Sequence, residues 1–152
     1  MNLYLVHHGE AVQADVDSRR PLSPRGQHEV DRVAEAAAAR GACPEIVWHS
    51  GKLRARQTAE AFRRACNPFA QLSATKDLQP HDRPDWMRDR LRGESCDVLI
   101  AGHFPHLPRL LAALVGLMDP SGADFPQHGV VALETADDGE SWRERWRIGR
   151  QA

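Results

Sequence analysis

The stretch that most constrains this chain lies near its start, Leu3-Tyr4-Leu5-Val6-His7-His8-Gly9-Glu10. Leu3 to Val6 is a compact apolar run with a β-branched end, and it reads as a buried strand of a parallel sheet. Two histidines stand where that strand should end, and a glycine follows them. Ligands of open α/β sheets bind outside the carboxyl ends of the strands. A glycine there lets the backbone turn sharply and come close to a ligand. The first element of the chain therefore delivers an imidazole to a site. The plainer alternative is a strand whose terminal histidines only close off the sheet.

The pattern then repeats. Residues 11–22 are polar and aperiodic, a loop that follows the strand and shapes whatever lies at its end. Ser23 is placed to cap a helix, with Pro24 at its first position. Val30, Val33, Ala34, Ala37 and Ala38 keep helical spacing, and Gly41 stops the helix, predicting it over 24–40. A second strand is expected over 45–48, ended by His49-Ser50-Gly51, and a second helix over 52–66, broken at Asn67-Pro68. A short strand around 71–75, a loop over 77–84 and a short helix over 86–91 follow. Residues 97–101 form the clearest strand, with Gly102-His103 at its carboxyl end. The apolar helix over 105–117 has Leu107, Leu110, Leu111, Leu114 and Val115 on one wide face, and Asp119-Pro120 is expected to stop it. Strands over 130–134 and 141–148 flank Asp137-Asp138-Gly139, a hairpin signal. Strict alternation would put Trp142, Glu144, Trp146 and Ile148 on one face of the last strand and Arg143, Arg145 and Arg147 on the other. These elements predict one domain over 1–152, a three-layer α/β/α sandwich whose sheet is mostly parallel with an antiparallel edge.

Composition narrows the function classes. A net charge of −1 argues against a nucleic-acid protein that works by bulk electrostatics. No segment approaches the ~18 apolar residues of a membrane helix, and the apolar start is too short for a signal peptide. The three cysteines, Cys43, Cys66 and Cys96, are widely spaced, which fits free thiols in a cytoplasmic protein better than a disulfide framework.

Three predicted strands end alike, in His7-His8-Gly9, His49-Ser50-Gly51 and Gly102-His103. If they are parallel neighbours, one rim holds His8, His103 and the amino end of the second helix with Lys52 and Arg54. Imidazoles beside fixed cations and a helix N-terminus make a pocket for an anion, phosphate above all. A neutral imidazole is also a competent phosphoryl acceptor.

His8-Gly9, the segment Ser50-x-x-Leu53-Arg54-Ala55-x-Gln57-Thr58, and Gly102-His103 resemble, in order and spacing, the three signatures of the histidine phosphatase superfamily, the phosphoglycerate-mutase-like fold. Arg20-Pro21-Leu22-Ser23 with Gly26, and Leu78-x-Pro80, are similar to segments of the small SixA-type phosphohistidine phosphatases. The resemblance implies a phosphatase that needs neither cofactor nor metal. In it, His8 takes the phosphoryl group and the Gly9 carbonyl fixes the His8 tautomer. Arg54 clamps phosphate oxygens, and His103 donates to the phosphoryl group. Its implied partner is a phosphorylated protein, one bearing phosphohistidine, or else a small phosphorylated substrate.

One departure is conspicuous. The superfamily signature is Arg-His-Gly, and here His7 takes the place of the arginine, with its permanent charge and fork of donors. His7 itself, Lys52 and Arg20 are the candidates to bind phosphate in its stead, and the position of Lys52 at the start of the Arg54 helix favours it. In the loop that would supply a general acid, Asp77 and Asp82 are the available carboxylates; a phosphohistidine substrate needs less help from one. The alternatives are a phosphomonoesterase for small molecules, a phosphate-binding regulatory protein of weak activity, and a histidine-rich metal site. The last is disfavoured because no Asp or Cys stands at ligand spacing.

Overall fold

The computed structural model describes residues 1–151. Its sheet has six strands in the order β3-β2-β4-β1-β5-β6. In chain order they are β1 (Asn2–His7), β2 (Ile46–His49), β3 (Gln71–Ala74), β4 (Val98–Gly102), β5 (Val130–Glu134) and β6 (Arg143–Ile148). The first four run parallel, and β5 and β6 add an antiparallel pair beside β1. Helices α1 (Pro24–Ala39) and α2 (Leu53–Cys66) cover one face; α3 (Pro84–Leu91) and α4 (His106–Val115) cover the other. This is the expected three-layer sandwich.

The two-residue period of β1 builds both layers. Tyr4 and Val6 pack into the core under α1 and α2, while Leu3 and Leu5 pack into the core under α3 and α4. β4 splits in the same way, with Leu99 and Ala101 on the first side and Val98 and Ile100 on the second. Removing one such side chain, as in Leu5→Ala, costs about 2–5 kcal/mol through lost burial and the cavity left behind.

Local signals set the helix ends. Ser23 Oγ accepts from the Gly26 amide at 2.9 Å and caps α1, with Pro24 in its first turn. Three expectations need correction. β2 ends at His49, one residue later than expected, because His49 pairs with Ala101 of β4 and Ala74 of β3. Helix α4 stops at Gly116, whose φ of 80° ends the helix before Asp119-Pro120 is reached. Along β6 the alternation fails. The register passes from Ala132 opposite Trp146 to Leu133 opposite Glu144, a bulge that leaves Arg145 as the extra residue. Trp142 therefore packs in the α3/α4 core, whereas Trp146 and Ile148 pack on the α1/α2 side.

The order β2-β4-β1 settles what matters for a site. His7 is opposite Gly102, and His49 is opposite Ala101. The residues that follow these strands, His8, Ser50 and His103, consequently leave the sheet along one rim.

Candidate active site

His8 is held by its neighbour. Its Nδ1 lies 2.7 Å from the Gly9 carbonyl oxygen. A carbonyl only accepts, so Nδ1 carries the proton and Nε2 keeps a free lone pair. The Gly9 amide donates to Thr58 Oγ1 at 3.0 Å, and that hydroxyl donates to the Arg54 carbonyl at 2.8 Å. The turn after β1 is thereby tied to the first turns of α2. It also lies hard against α1: a Cβ on Gly9 would fall 2.3 Å from Val30 Cγ2, and one on Gly26 would fall 2.0 Å from the Glu10 carbonyl oxygen. Burial pushes the His8 pKa down to about 4; the bond to Gly9 opposes this, and the charges of Arg54 and Arg20 assist it. At neutral pH His8 is an uncharged ring with an available nitrogen.

His103 faces it across the rim, with ring centroids 5.1 Å apart. Its Nε2 is 2.6 Å from Ser50 Oγ, a buried contact that joins the ends of β2 and β4. Burial, then the proximity of His8, Arg54 and Lys52, lowers the His103 pKa to about 3. If the Ser50 hydroxyl donates to Nε2, the His103 proton stands on Nδ1.

Arg54 is half-buried in the first turn of α2, and its Nε is enclosed without a hydrogen-bond partner. Among the described residues no carboxylate pairs with it. Burial and the nearby Arg20 lower its pKa. Arg20 itself adopts a left-handed φ of 49° and donates Nε–H to the Val12 carbonyl at 3.1 Å. Its charge acts on both His8 and Arg54, whereas that of Lys52, the residue capping α2, acts on His103. Both expected substitutes for the arginine, Lys52 and Arg20, therefore add positive charge at the rim, Arg20 toward His8 and Lys52 toward His103.

His7 is buried, only 6% exposed, and sandwiched between two rings. Phe104 stacks on it at 4.0 Å and His128 at 4.8 Å. The His128 amide donates to His7 Nδ1 at 2.8 Å, and His128 Nδ1 lies 2.7 Å from the His8 carbonyl oxygen, to which it donates. His128, at a φ of 55°, thus holds both residues of the His7-His8 pair. Burial, then His8, His128, His103 and Arg54, pushes the His7 pKa down to about 2.

Nitrogens of His7, His8 and His128 lie within 4.8 Å of one another. A metal would need a lone pair from each ring. The Nδ1 lone pair of His7 already faces an N–H, so its outward nitrogen is the protonated one. This hydrogen-bond arrangement suits an oxyanion better than a cation.

The loop carboxylates are otherwise engaged. Asp77 lies 3.6 Å from Arg90, and Asp82 accepts from the Gln79 amide at 3.0 Å. His49 accepts from the Gly51 amide at 3.0 Å and braces the turn before α2. His28 is exposed on α1, and His106 is fully buried. Sequence reasoning gave no individual role to Ser50, Phe104 or Thr58. His128 stands in Pro126-Gln127-His128-Gly129 before β5, a loop whose contacts a linear pattern does not encode.

The structure of the protein histidine phosphatase SixA complexed with tungstate is similar along 99% of this chain and 98% of its own, with a TM-score of 0.85 at 24% identity. A candidate phosphohistidine phosphatase SixA of Agrobacterium tumefaciens matches at a TM-score of 0.80 and 24% identity, over 97% of each chain. A phosphoglycerate mutase of Plasmodium falciparum shares the fold at a TM-score of 0.70 and 17% identity, over 98% of this chain and 90% of that one. Among curated proteins none matches the sequence. The pattern of the histidine phosphatase superfamily (branch 1) matches residues 3–94, more than half of the chain, and takes in β1, the Gly9 turn and the α2 motif. The chain therefore belongs to the histidine phosphatase superfamily.

Proposed function

We propose that the chain is a single-domain phosphohistidine phosphatase that takes a phosphoryl group onto His8 Nε2 and then releases it to water. The observation that carries this reading is Arg54, half-buried beside uncharged imidazoles with its Nε unpartnered. Such a donor set lacks only its anion. In the first step the bond between phosphorus and the leaving nitrogen breaks as the bond to His8 Nε2 forms. In the second, water attacks phosphorus and His8 recovers its lone pair. Arg54 clamps the phosphoryl oxygens, with Arg20 and Lys52 adding positive charge at the rim. His103 donates to the charge that develops, and fixed donors of this kind are the main resource in phosphoryl transfer.

An imidazole leaving group fits the carboxylates found here. Asp77 and Asp82 are occupied by Arg90 and the Gln79 amide. A nitrogen leaving group demands less of an acid than an alkoxide does. The SixA structure with bound tungstate, an oxyanion, supports the same reading. The partner is a phosphorylated protein, and free thiols at Cys43, Cys66 and Cys96 suit a cytoplasmic setting.

Mixing the protein with a phosphohistidine peptide and quenching in alkali should trap a phosphoenzyme. His8→Ala should abolish it, together with turnover, because a nucleophile cannot be bypassed. Undiminished turnover in that variant would remove His8 from the mechanism. Faster hydrolysis of small phosphomonoesters than of the peptide would reassign the substrate.

A further inference from the structure

The superfamily's first arginine is a histidine here, and the geometry around it defines what it offers. His7 Nδ1 accepts the His128 amide at 2.8 Å. An amide N–H can only donate, so Nδ1 must present a lone pair. In an uncharged ring the remaining proton then stands on Nε2. That nitrogen has no protein partner among the described residues. Its ring is fixed by Phe104 on one face and His128 on the other, with the His8 ring centroid 4.5 Å away.

We propose that His7 replaces the arginine as an uncharged hydrogen-bond donor, its Nε2–H aimed at the phosphoryl group and its tautomer set by the His128 backbone. The charged form of His7 is opposed by its surroundings. Burial comes first, the permanent charge of Arg54 adds to it, and no carboxylate is among the groups that act on the ring. Charging Nδ1 would also place two hydrogens face to face at the His128 amide. A donor of fixed direction and no charge leaves His8 neutral, as attack requires, where a second cation beside it would add to the desolvation already opposing an imidazolium. The inference rests on the site being the phosphoryl site. The tautomer, however, can be read in the ligand-free protein.

The test is two-bond ¹H–¹⁵N spectroscopy of the full chain with ¹⁵N-labelled histidine, with and without tungstate. In the free protein at pH 7, His7 should be the Nε2–H tautomer, opposite to His8 and His128, which should both be Nδ1–H. A doubly protonated His7, or an Nδ1–H tautomer, would overturn the proposal. Tungstate should move the His7 Nε2–H resonance downfield without proton uptake by the ring. A shift at His8 with none at His7 would also overturn it. No shift at His8 would instead sink the phosphoryl-site reading while leaving the tautomer result standing. Affinity gives a second readout: His7→Phe, which keeps the stacked ring and loses the donor, should weaken tungstate binding about 10- to 100-fold. His7→Gln, which keeps an N–H donor and an acceptor, should lose less. Between pH 6 and 8, wild-type and His7→Gln affinities should change in parallel. A loss with rising pH confined to wild type would mean that a charged His7 is the binding form.

Discussion

Two sets of arginines divide this molecule. On the β6 strand, Arg143 and Arg145 pair with Glu134, and Arg147 meets Glu144 at 2.8 Å and Asp124 at 3.2 Å. At the rim where β1, β2 and β4 end, Arg54 has no acid partner among the described residues. The two environments move the same side chain in opposite directions. The hydrogen bond that Arg147 donates to Glu144 raises the Arg147 pKa, whereas burial and Arg20 lower that of Arg54. Ion pairs at the β6 surface find their partners within the chain and contribute little to stability. The rim is electrostatically incomplete, and completing it requires a ligand that is anionic and rich in acceptors.

The largest expected effect comes from breaking the incomplete side. Arg54→Met should weaken tungstate or phosphate affinity by about 10²–10³-fold, the usual consequence of removing one preorganised oxyanion donor. Folding stability should hold or rise by up to about 1 kcal/mol, because a half-buried donor without a partner has been removed. Calorimetric titration beside a urea melt separates the two. A large loss of stability would mean that Arg54 is a structural residue.

A smaller contrast lies in pH. The folded pKa values of His7, His8 and His103 fall to about 2, 4 and 3. Unfolded histidines titrate near 6.5, so below that pH the unfolded chain takes up protons that the rim refuses. Stability is therefore full above about pH 6.5 and falls as pH drops toward 4, with a slope of up to about 1.4 kcal/mol per pH unit for each such ring. His49 and His106, both lowered by burial, add to the same trend. The carboxylates along β5 and β6 are lowered as well: hydrogen bonds from Arg143 and Arg147 depress Glu134 and Glu144 below the ordinary glutamate value. Denaturant melts from pH 7.5 to 4.5 should report the rim. A flat profile would show that these histidines are solvated.

At the small end, Arg147→Ala should change stability by less than about 1 kcal/mol and tungstate affinity by less than twofold. A larger effect on binding would mean that the two arginine sets are coupled through β5, the strand between β6 and β1.

The sequence by itself determined whatever depends on neighbours along the chain. Ser23-Pro24 starts α1, and the alternating apolar residues of β1 require two cores. Ser50 to Thr58 places Arg54 on the first turn of a helix that begins at a strand end. These follow from periods and caps, which are local. The tautomer of His8 also belongs here, because its partner is the next residue.

Only the tertiary structure decided the rest. His128 reaches His7 across 121 positions, and Ser50 reaches His103 across 53. Neither separation leaves a trace in any local pattern. Arg20 lies in an aperiodic loop, so its reach to His8 depends on how that loop lies over the sheet. The bulge at Arg145 moves Trp142 to the opposite core because packing between strands, and not alternation within one, sets the register. The role of His7 was hidden for the same reason. Its identity is local, but its proton is placed by an amide that only the fold brings near.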